Sequence, residues 1–86
     1  MEFHVISDIK YENENHKIEH GITVTNLEEV IFISIHELKI KLLKKFKINN
    51  DNLTVIINNY KLNTKNKKII IKAKCEKFDD WEIISN

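Results

Sequence analysis

Arginine and proline are absent from this 86-residue chain, and glycine, cysteine, methionine and tryptophan occur once each. Each shortage excludes something. Without arginine there is no planar fork to take both acceptors of a guanine edge, which argues against the commonest sequence-specific reading of duplex DNA. A single glycine leaves no glycine-rich loop for a phosphate. The lone Cys75 rules out an internal disulfide and suits a reducing compartment. No Ser/His/Asp triad arrangement and no metal-binding motif occurs. The longest strongly apolar run, "VIFISI" (30–35), is far short of the ~20 residues that a membrane-spanning helix needs. The opening stretch, "MEFHVISDIKYENENHK", has acids early and no apolar core, so no secretory signal is expected. These exclusions lead to an expectation of a cytoplasmic, non-catalytic protein with no cofactor, no metal and no membrane contact.

What is present is a foldable composition, 42% hydrophobic and 31% charged, which belongs to a globular chain and not a disordered one. A chain of this length makes a single domain over 1–86 with one two-layer core. Isoleucine, lysine and asparagine dominate, as AT-rich coding favours, so the lysine count alone says little about function. The placement of the lysines says more. Residues 1–38 carry a net charge of −6 and residues 39–86 a net charge of +7. Such asymmetry between halves hints at polyanion contact or a polar assembly surface.

Asparagine clusters punctuate the chain: "ENEN" (12–15), "NNDN" (49–52) and "NTKN" (63–66) each read as a loop. Before the first, Phe3, Val5, Ile9 and Tyr11 alternate with His4, Asp8 and Lys10. After it, Ile18, His20, Ile22 and Val24 alternate with polar neighbours. Two strands in a hairpin are expected, with the lone Gly21 marking a bulge or a close backbone approach.

Residues 25–48 predict one long helix. Thr25 and Glu28 have the spacing of a capping box, and Lys44, Lys45 and Lys47 suit the negative end of the helix dipole. Leu27, Ile31, Ile35, Leu38, Leu42 and Phe46 make a core stripe. A rival reading, supported by β-branched residues, makes 29–35 a strand. Two further strands follow, one from Leu53 and one over 68–78, where Ile69, Ile71, Ala73 and Cys75 share one face. "WEII" (81–84) offers a short edge strand. The fold expected is α+β in ββαββ order: two layers, with one long helix on one face of a four- to five-stranded, mostly antiparallel sheet.

Two surfaces stand out. At ~100° per residue, Phe32, Ile33, Ile40 and Leu43 fall opposite the core stripe with His36 among them. A helix on the outside of a two-layer domain should show water a polar back. The site expected there is Phe32, His36, Ile40 and Leu43, covered by a protein partner or a second copy of the chain. The alternative is a nucleic-acid-binding surface. Tyr60 would stack a base beside Ile56 and Ile70 while Lys68, Lys72 and Lys74 neutralise phosphates; the bland reading of those lysines is a solvated, edge-protecting face. His16 and His20 lie ~13 Å apart on a strand, too far to share one ion, and His20 reads as a hydrogen-bonded, half-buried core histidine. Cys75, in the inward row, reads as a small hydrophobe. "DDWE" (79–82) reads as a polar turn. The function expected is a small non-catalytic binding protein acting through a protein surface, in the manner of a phage or mobile-element accessory protein that inhibits a host factor.

Overall fold

The structure is a computed structural model and describes residues 1–49 and 52–77. β1 (Glu2–Tyr11) and β2 (Glu14–Thr23) form an antiparallel hairpin closed by only two residues, Glu12 and Asn13. Both have positive φ, 51° and 65°, the pattern of the tight turn whose twist matches that of its strands. The expected "ENEN" loop is therefore half as long, and Glu14 and Asn15 already pair with Tyr11 and Lys10. Gly21 makes neither of the features expected of it. It lies opposite His4 in an unbroken ladder, and a Cβ there would stand 3.8 Å from the Phe3 carbonyl oxygen, an ordinary contact.

A 3-10 turn at Leu27–Glu29 runs straight into α1 (Val30–Phe46), so residues 29–35 are coiled and the strand alternative falls away. The start is capped one residue later than the capping-box spacing indicated. The Glu29 carboxylate, not that of Glu28, accepts bonds from the Thr25 amide (3.3 Å) and hydroxyl (3.0 Å).

The buried stripe of α1 is Val30, Ser34, Leu38 and Leu42, one residue in every four. Leu27, expected in that stripe, is 46% exposed, because the tighter 3-10 winding turns it away from the α-helical face. Ile31, Ile35 and Phe46 pack on the flank of the core, half-buried. At the far end Lys47 adopts a left-handed φ of 55°, and the Lys47 and Ile48 amides both donate to the Leu43 carbonyl. This closure draws the residues on either side of the turn together, and Leu43 and Ile48 both pack against the core.

β3 (Leu53–Asn63) and β4 (Lys68–Lys77) make the second hairpin. Among the described residues four strands lie in the order β2-β1-β4-β3, with β1 and β4 parallel at the centre and the two hairpins antiparallel. The sheet is therefore mixed. "WEII" and "DDWE" lie outside the described residues. β2 and β3 form opposite edges, so α1 carries the chain across one face of the sheet. Under it sit the fully buried Val5, Ile9, Ile69 and Ile71, facing Val30, Leu38 and Leu42. Burying each such side chain stabilises the fold by about 1.5–3 kcal/mol. Among the described residues nothing covers the other sheet face, called the open face below.

Candidate interaction surfaces

The outer side of α1 holds two exposed rings. Phe32 is 74% exposed, and its ring lies 6.4 Å from the His36 imidazole and within 4° of parallel. Residues four apart on a helix stand one above the other, so the rings pair through the local winding alone. Ile40 continues the line half-buried. Leu43 and Ile33, placed on this outer face by their spacing, instead pack against the core. The surface that the sequence drew as Phe32, His36, Ile40 and Leu43 is thus an exposed aromatic pair leading into a half-buried isoleucine.

The open sheet face is built by alternation and register. On β1, Phe3, Val5, Ser7, Ile9 and Tyr11 point under the helix, so His4, Ile6, Asp8 and Lys10 point the other way. On β4 the corresponding residues are Lys68, Ile70, Lys72 and Lys74, all exposed. Parallel pairing sets Ile6 beside Ile70 and Asp8 beside Lys72. The flanking strands put Glu19 beside Ile6 and Lys61 beside Ile70. One row across the four strands therefore reads Glu19, Ile6, Ile70, Lys61.

The alternative site is partly assembled. Lys68, Lys72 and Lys74 share the open face, and Ile56 stands there opposite Lys74. Tyr60 does not follow the expected alternation. The ladder slips between Ile57 and Asn59, skipping Asn58, and pairs Tyr60 with the buried Ile71. A bulge of one residue reverses which side chains face the core. From there on, Tyr60 and Leu62 belong to the helix-side row. Tyr60 stays 50% exposed at the sheet edge and borders a shallow hollow with Asn59, Lys61, Ile70 and Lys72. Ile6, Asp8, Glu19 and Lys61 were missed by sequence reasoning, because their membership depends on which strands are neighbours. One signal was available: Ile6 is the apolar residue in the outward row of β1.

The remaining reactive groups are held in the interior. Cys75 is buried, and burial pushes its thiol up to about 11, so it is protonated at neutral pH. Both ring nitrogens of His20 are buried with no hydrogen-bond partner among the described residues. This corrects the expectation of a hydrogen-bonded histidine. His16 meets the edge of Phe46, whose other contact is a stack with Tyr11 at 4.2 Å. Among the described residues no group of three or more His, Cys, Asp or Glu side chains is placed to hold a metal ion, and no helix is long and apolar enough to cross a membrane. Comparison with protein-family models, curated proteins and solved structures finds no match to this chain.

Proposed function

We propose that this chain is a small, non-catalytic cytoplasmic binding protein that seats a protein partner on the outer side of α1, as an accessory or inhibitor protein of a phage or mobile element would. The observation that carries this reading is Phe32, a large aromatic ring 74% exposed and stacked with His36. Exposed aromatics of this kind are the anchors that dominate protein interfaces. Phe32→Asp is the test, made by purifying the tagged protein from its own host. Wild type should retain a stoichiometric protein partner, and the variant should lose it while melting at the same temperature. Retention of the same partner by the variant, or its collapse to a lower melting temperature, rejects the site.

A second reading has its own observation: Lys61, Lys68, Lys72 and Lys74 surround Ile70 on one exposed face. Such a face would bind single-stranded nucleic acid by charge with little sequence preference. Affinity for a labelled single-stranded oligonucleotide should then fall steeply as salt rises, and Lys72→Glu with Lys74→Glu should remove it. No binding at low salt ends this reading.

A further inference from the structure

The lysines of the open sheet face are only half of its pattern. Across the sheet the charge balance changes about the centre. The β2–β1 side mixes Glu19 and Asp8 with Lys17, which stands beside Asp8, and Lys10, whereas the matching rows of the β4–β3 side carry Lys61 and Lys72 with no acid, and Ile6 and Ile70 meet in the middle. A polyanion laid across the full width would meet both carboxylates. A second copy of the same face would not.

We propose that two copies of this chain pair face to face through their open sheets, related by a two-fold axis running along the strands midway between β1 and β4. That rotation lays β1 on β4 of the other copy and β2 on β3, row upon row. Ile6 then meets Ile70, Asp8 meets Lys72, and Glu19 meets Lys61. A two-fold interface makes each of these contacts twice, and sheets stacked ~10 Å apart bring such side chains into reach.

The Asp8 row also carries Lys17, which meets the neutral Asn59 of the other copy. Two rows oppose the arrangement weakly. Lys10 meets Lys74, but Lys74 is already paired with Glu76 at 3.5 Å, so the approaching cation finds a neutralised group. His4 meets Lys68, and the His4 ring lies 4.0 Å from the Glu19 carboxylate. Four strands at ~4.8 Å spacing and ten residues at ~3.3 Å give a footprint of about 600 Å². That is below the ~800 Å² per partner of a standard stable complex. The pair should therefore be a dynamic one, visible at micromolar or higher concentration and weakened by salt. This surface is separate from the outer side of α1, so Phe32→Asp leaves it intact.

The test is sedimentation equilibrium of the purified chain over a wide concentration range. Wild type should show a monomer–dimer equilibrium. Glu19→Lys alone and Lys61→Glu alone should each weaken it about tenfold, since each sets like charges opposite one another twice. The double variant carrying both changes should return to near wild-type association. Within one chain these residues stand at opposite edges, about 14 Å apart across three strand spacings, beyond the ~8–10 Å screening length. Rescue by the double swap therefore reports contact between copies. Ile70→Lys should abolish the dimer while keeping the melting temperature, because Ile70 is 37% exposed on the open face. The proposal is overturned if the wild type is monomeric throughout, if the double swap is as weak as the singles, or if the dimer survives Ile70→Lys and is lost in Phe32→Asp.

Discussion

His20 sits opposite Val5 in the row beneath the helix, with both ring nitrogens out of water and without a hydrogen-bond partner among the described residues. Burial disfavours its charged form and the Lys41 ammonium adds to that, while Glu37 partly opposes, so its pKa lies below the ordinary 6.5. The folded protein then holds this proton less tightly than the unfolded chain does. Stability from this residue is complete above pH 6.5, where His20 is neutral in both states, and declines as pH falls from there toward the depressed folded value. The melting temperature should be level between about pH 7 and 8 and fall on acidification from pH 6.5. His20→Phe should flatten that slope. A slope unchanged in the variant would assign it to other groups. Ser7 and Ser34 are also fully buried, and their hydroxyls have no hydrogen-bond partner among the described residues. A buried hydroxyl left without a partner costs about 1–3 kcal/mol, so Ser7→Ala and Ser34→Ala should leave the melting temperature unchanged or raise it.

At the scale of elements, α1 is the only α-helix among the described residues and covers the inner sheet face. Its two sides should respond very differently to substitution. Leu38, with no exposed surface, fills the middle of the contact, and Leu38→Ala should cost about 2–5 kcal/mol in denaturant unfolding. Phe32→Asp, two turns away on the wet side, should cost a few tenths. Equal losses would mean that the helix is seated differently. The strands carry their own local devices. The two-residue turn after β1 keeps the first hairpin in strict register, whereas the bulge at Asn58 turns the end of β3 over. A bulge in an edge strand also disfavours pairing with another chain along that edge.

For the whole molecule, the split between an acidic first half and a basic second half becomes a spatial split. The acidic hairpin lies on one side of the parallel β1–β4 seam and the basic hairpin on the other. A chain of net charge +1 is therefore markedly polar across its open face, and the face-to-face pairing proposed above uses that polarity. Raising the salt should dissociate such a dimer.

Much of this was legible along the chain. Strand alternation around Val5 and Ile71, the continuous helical period through 27–46, and the lysine row of β4 are local facts, because side-chain direction follows backbone period. The core stripe was misplaced for an equally plain reason. Ser34 is polar and Leu27 apolar, so a count of hydrophobic residues ranks them in the wrong order, and only the packing shows which of them faces the sheet. Tyr60 was misplaced because a bulge leaves no mark in the alternation until two strands are in register.

By itself, then, the sequence determined the element types, their order and the inward row of each regular strand, since these depend on neighbours within a few residues. Only the tertiary structure decided that β1 lies beside β4. That single adjacency joins Ile6 to Ile70 and sets Asp8 against Lys72, because contacts between residues more than sixty positions apart are made by packing the whole sheet under one helix.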